Sequence, residues 1–277
     1  MGKPKQQKFL TQCLNRRRCL SMSFRVKMEQ TARNKKSNII LALDFPLEKP
    51  ANRERLFSKA EHTLEAAHPY ICAVKFNRHL ILPLGLFDGV QKLIEKIHDI
   101  ELMAVMDCKV NDIGSTNQTI AEYYYSAGFD ALTANPFVGW KEGLKPVFDV
   151  AHKLQRGVIL LVYMSHKAAW EGYGQTIRNA ETDKKTLQYS SFAKKSLKWN
   201  ADGVVVGATY PEKIRQVHKI LGEKIPIYSP GIGAQGGKIK SALKAGASYL
   251  IVGRAITLSE NPAETARNIK DLANECK

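Results

Sequence analysis

The sequence predicts an α/β fold, a single-domain TIM (β/α)8 barrel with a basic N-terminal extension. Three observations point to it: eight short apolar runs, the charged amphipathic segments between them, and a regular alternation from residue 38 onward. Eight such units in about 240 residues match the count and length of that barrel. A doubly wound sheet is the competing architecture.

The first run, 39–44 (IILALD), leads to NRERLFSKAEHTLEAA, whose apolar residues fall at helical spacing. ICAVKF (71–76), LMAVMDCK (102–109), ALTANP (131–136) and VILLVYMS (158–165) supply the next four strands. GVVVGA (203–208) precedes a second clear helix, PEKIRQVHKIL, and IPIYSP (225–230) and YLIVGRA (249–255) complete the set. None of these runs alternates with polar residues, as expected of parallel strands covered on both faces. The expected division is an extension over 1–37 and a catalytic barrel over 38–277.

The formal charge of +16 is unevenly spread. Residues 1–37 hold eleven Lys/Arg and one acid, giving +10, and the remaining 240 residues contribute only +6. The extension has no clear helical or alternating period and is expected to be disordered. A start at Met22 or Met28, an organelle transit peptide and a nucleic-acid-binding arm are the other readings of it. Nucleic acid is not an expected partner of the barrel. The five cysteines are scattered without CxxC spacing, which points to a reducing compartment, expected to be cytoplasmic. The apolar runs are too short to span a bilayer, so no membrane partner is expected.

A barrel of this kind carries its chemistry at the C-terminal ends of its strands. Asp44 ends the first run, Lys75 lies in the second, Asp107 and Lys109 end the third and Ser165 ends the fifth. Strand residues two apart share a face, so Asp107 and Lys109 point the same way. Asp112 follows in the loop or first helical turn. Taken singly, these residues could be a structural ion pair, a helix cap and a backbone-bonded hydroxyl. Their joint placement at one end of the barrel favours function.

SPGIGAQGG (229–237) has glycines at dinucleotide-fingerprint spacing, but it lacks the acidic residue expected about twenty positions on. After a seventh barrel strand, the same glycines suit a phosphate site, with Arg254 supplying charge and Gly253 closing the other side.

From about 38 to 270, the chain resembles orotidine 5'-phosphate decarboxylase, especially its short archaeal-type form. The resemblance rests on LALD (41–44), Lys75 in AVKF, DCKVNDIGST as a D-x-K-x-x-D-I-x-x-T pattern, MSH (164–166), PGIGAQGG (230–237) and VGRAI (252–256). It implies decarboxylation of orotidine 5'-monophosphate to UMP, the last step of de novo pyrimidine nucleotide synthesis. It implies a reaction without metal or cofactor, in a homodimer with composite sites. It further implies that Asp44 and Lys75 hold the ribose hydroxyls and complete a charged array with Asp107, Lys109 and Asp112 of the partner subunit, in which Lys75, Asp107, Lys109 and Asp112 are catalytic. Ile113 and Thr116 of the partner subunit would line the pyrimidine and ribose. Ser165 would read the pyrimidine edge, and Pro230, Gln235, Gly253 and Arg254 would enclose the phosphate. The nearest rival within the same resemblance is a magnesium-dependent hexulose-phosphate synthase or keto-gulonate-phosphate decarboxylase.

Overall fold

The computed structural model describes residues 22–47, 52–178, 183–233 and 237–276. In β1 (Ile39–Leu43), Ile39, Leu41 and Leu43 belong to the outer core shared with the helices, whereas Ile40 and Ala42 belong to a second, inner cluster. The same division recurs around the ring: Val74 faces out and Ala73 in, Leu160 out and Ile159 in, Leu250 out and Ile251 in. Both faces are therefore buried, which is why these runs carry no polar alternation.

Strands β1, β2 (Ala73–Asn77), β3 (Met103–Val110), β4 (Ala131–Ala134) and β5 (Gly157–Tyr163) pair in parallel sequence. β8 (Gly203–Val206), β9 (Ile227–Pro230) and β10 (Tyr249–Val252) continue the sheet, and β10 pairs with β1 to close an eight-stranded barrel. All eight expected runs are strands of it. β6 (Thr176–Arg178) and β7 (Lys185–Leu187) form an antiparallel pair outside the barrel, between β5 and the helix Gln188–Lys198. The outer helices follow from their apolar stripes. In Gln91–Asp99, for example, Leu93, Ile94 and Ile97 are buried at i, i+1 and i+4, and the charged residues face solvent.

The expectation of disorder up to residue 37 needs correction. Phe24–Lys35 is a helix, and residues 1–21 lie outside the described residues. Phe24 and Met28, one turn apart, enter the inner cluster at the N-terminal end of the barrel. Arg25 ties the helix down by donating to the carbonyls of Lys224 (2.6 Å) and Ala201 (2.8 Å), and Lys35 donates to that of Ile100 (2.8 Å). A Cβ at position 157 would stand 2.2 Å from the Phe24 ring, so Gly157 is what admits the ring. Behind it Tyr228 and Tyr249 stack with centroids 4.8 Å apart. This helix packs its buried face against the bottom of the barrel. No helix among the described residues is long and apolar enough to cross a membrane.

Candidate active site

β2 and β3 run side by side with Lys75 opposite Val105 and Asn77 opposite Asp107. This register brings the buried Lys75 ammonium to Asp107, where Nζ donates to Oδ2 at 2.7 Å and also contacts Asn77 Oδ1. Lys109 Nζ donates to the other carboxylate oxygen, Oδ1, at 2.7 Å. Asp107 and Lys109 thus share a face as their spacing implies, although the strand between them is irregular: the register shifts between Met106 and Val110, and Lys109 has φ 51°.

Burial alone would push the Asp107 carboxyl upward. The charges of Lys75 and Lys109 and the hydrogen bonds they give outweigh that, holding it well below the usual carboxylate range. A carboxylate buried with two ammonium groups is tolerated only because each charge has a partner; removing one from such a set typically costs about 3–5 kcal/mol.

Around this array opens a cleft of about 1000 Å3, counting its solvent-filled mouth. Asp44, immediately past β1, lies on its wall with Oδ1 3.1 Å from His79 Nε2. The hydrogen bond from His79 lowers the Asp44 carboxyl against the effect of burial, and the charges of His79, Lys75 and Arg254 add to it. Ser165, Pro230, Gly253 and Arg254 line the same cleft, so these residues and the array bring the ends of six strands together there. Gly231 and Gly233 adopt φ of 95° and 73°, conformations that turn the chain sharply back beside the cleft. Gln235 lies outside the described residues.

Asp112, Ile113 and Thr116 are not in this chain's cleft; all three are exposed around the start of the helix Gly114–Ser126. Asn117 fixes the Asp112 backbone, accepting its N–H at 3.0 Å and donating to its carbonyl at 2.5 Å. Ile113 is 65% exposed, an apolar side chain left uncovered at the start of that helix.

Three residues not singled out from the sequence join the site: Asn77, His79 and Thr133. Thr133 carries no charge and no motif, yet its hydroxyl touches both Asp107 and Lys109. Asn77 could have been inferred from Lys75, since residues two apart on a strand share a face.

Among the described residues, no group of three or more His, Cys, Asp or Glu is placed to hold a metal ion. Asp107 has both oxygens engaged by ammonium groups, a poor donor for a hard cation that needs free carboxylate oxygens.

The sequence profile of the Orotidine 5'-phosphate decarboxylase / HUMPS family matches residues 37–269. A protein of Methanosarcina barkeri named orotidine 5'-phosphate decarboxylase is 35% identical over 235 residues, spanning 85% of this chain and 94% of its own. One of the same name from Pyrococcus abyssi is 36% identical over 84% of this chain and 97% of its own. The crystal structure of orotidine 5'-monophosphate decarboxylase from Methanocaldococcus jannaschii complexed with inhibitor BMP aligns with TM-score 0.71 and 31% identity, covering 86% and 99% of the two chains. With the barrel, the charged cleft and these likenesses together, the chain belongs to the orotidine 5'-phosphate decarboxylase / HUMPS family and is an enzyme of its decarboxylase branch.

Proposed function

We propose that this chain converts orotidine 5'-monophosphate to UMP and CO2, without cofactor, in a homodimer with composite sites. The observation that carries the reading is the Lys75–Asp107–Lys109 array at the floor of a cleft whose rim offers Arg254. When the C6–carboxylate bond breaks, CO2 leaves and the electron pair stays at C6 in an orbital outside the ring π system. The missing delocalisation has to be replaced by electrostatics, on the scale of roughly 20 kcal/mol for the hardest reactions. Lys109 sets its ammonium against that pair and then delivers a proton to C6. Asp107 faces the departing carboxylate and disfavours its charge more in the ground state than in the transition state. Arg254 and the glycine-rich turn hold the phosphate, whose binding energy organises the reacting end. Asp44 and Lys75 take the ribose hydroxyls, and Ser165 takes the pyrimidine edge.

Asp112, Ile113 and Thr116 serve the neighbouring subunit's site. Their position outside their own cleft, and the uncovered Ile113, support this reading.

Ultraviolet-monitored loss of orotidine 5'-monophosphate by the purified chain, with EDTA present, tests the reaction. Full turnover is expected; no turnover, or turnover abolished by EDTA, overturns it, the second outcome favouring the magnesium-dependent alternative. Subunit exchange tests the sharing. In a mixed dimer of Lys109→Ala and Asp112→Asn, one site receives both lesions and the other neither. With random exchange, activity should return to about one quarter of wild type for independent sites in a closed dimer. No recovery, with exchange verified by mass, would mean that Asp112 acts within its own chain.

A further inference from the structure

Between the paired positions Met106–Leu132 and Val110–Ala134, three residues of β3 face a single residue of β4. The three are Asp107, Cys108 and Lys109, and the one is Thr133. This expanded bulge carries the array, and a bulge leaves ladder groups unpaired. It also puts Lys109 at φ 51°, which residues other than glycine and asparagine adopt reluctantly.

Thr133 is buried and touches all three bulged residues. Its hydroxyl oxygen accepts the Lys109 backbone N–H at 2.9 Å. A hydroxyl has one proton; with the oxygen accepting from Lys109, that proton goes to Asp107 Oδ1, 3.0 Å away. The Thr133 carbonyl accepts from Cys108 Sγ at 3.3 Å. Asp107 Oδ1 therefore receives both Thr133 and the Lys109 ammonium, and one hydroxyl fixes the backbone that aims Lys109 and the carboxylate that Lys109 meets.

We propose that Thr133 is a positioning residue for decarboxylation, its hydroxyl setting the Asp107–Lys109 geometry from the neighbouring strand. The inference rests on the role given to Lys109 above. Because the hydroxyl acts on the reacting end and has no part in holding the phosphate, its loss should appear in kcat and leave ligand binding alone.

The test compares Thr133→Val, which keeps the volume and removes the hydroxyl, with Thr133→Ser, which keeps the hydroxyl. Thr133→Val should lower kcat by about fivefold or more, the size of one lost hydrogen bond, with the Kd of UMP within about threefold of wild type. Thr133→Ser should regain more than half of the wild-type kcat. The inference is overturned if Thr133→Val keeps a larger kcat than that, if its UMP binding falls along with kcat, or if Thr133→Ser is no better. Rates are taken per folded molecule, with the thermal midpoint recorded, so a purely structural role would move the midpoint and leave kcat. If the wild-type chain does not act on orotidine 5'-monophosphate, the proposed reaction fails; an active wild type with an indifferent Thr133→Val sinks only this inference.

Discussion

At the N-terminal end of the barrel, Phe24, Met28, Tyr228 and Tyr249 fill the lumen with rings and aliphatic carbon; at the other end, Lys75, Asp107 and Lys109 occupy it with charge. The first filling is stabilising in itself, at about 25 cal/mol for each Å2 of apolar surface removed from water. The second roughly breaks even at best, since desolvating ions offsets their attraction. One end supplies the free energy that lets the other keep an arrangement suited to chemistry. Loss of a side chain should therefore mean different things at the two ends.

The largest effect is expected at the charged end. Lys109→Ala removes the group assigned both to hold the carbanion charge and to protonate C6, and turnover should fall by about a thousandfold or more. UMP should still bind, because Arg254, the residue proposed to hold its phosphate, is untouched. Lys75 remains on Asp107, so the carboxylate keeps a partner and the fold should survive. Steady-state rates with UMP titration check this, and a variant within tenfold of wild type would remove Lys109 from its role.

Phe24→Ala is the mirror experiment. The cavity left by a fully buried ring typically costs about 3–5 kcal/mol, read as a fall in the denaturation midpoint. Activity per folded molecule should stay near wild type, because Phe24 lies at the N-terminal end. A normal midpoint would show that the helix Phe24–Lys35 is dispensable to the barrel; lost activity with unchanged stability would show the two ends to be coupled.

The same contrast explains what could be read in advance. All eight barrel strands were legible, because burial on both faces writes itself as an unbroken apolar run. The plug helix was not: Phe24 and Met28 are its buried residues, and two apolar positions among charged ones make no period. The β6–β7 pair is three residues a side, too short for a pattern. At the site, Asp44, Lys75, Asp107, Lys109, Ser165 and Arg254 stood out as polar residues ending apolar runs. Thr133 and His79 did not, because their meaning comes from contacts across strands. Thr133 matters through a register shift in β3, and His79 through a helix that follows β2 and reaches back to β1. Neither relation leaves a local signal in the chain.

His79 gives the smallest expected effect and the finest test of the charged end. It and Asp44 are both partly exposed, 48% and 36% by side chain, so their pairing belongs with surface interactions, worth about 0.2–1 kcal/mol. His79→Ala should then raise KM by no more than about fivefold at neutral pH, with kcat nearly unchanged. The pH profile is more telling. The His79 hydrogen bond is the largest cause lowering the Asp44 carboxyl, so its loss should let that carboxyl rise toward its ordinary value. If ionised Asp44 is the form that holds the ribose, the variant's kcat/KM should begin to fall at a higher pH than the wild type's as the solution is acidified. The wild type, with its depressed carboxyl, keeps Asp44 ionised further into acid. Superimposable acid limbs would mean either that Asp44 does not bind in its ionised form or that His79 does not govern it, and measuring Asp44→Asn alongside separates the two. If Asp44→Asn binds substrate as the wild type does, Asp44 leaves the site; if it binds poorly while His79→Ala leaves the profile unmoved, only the histidine does.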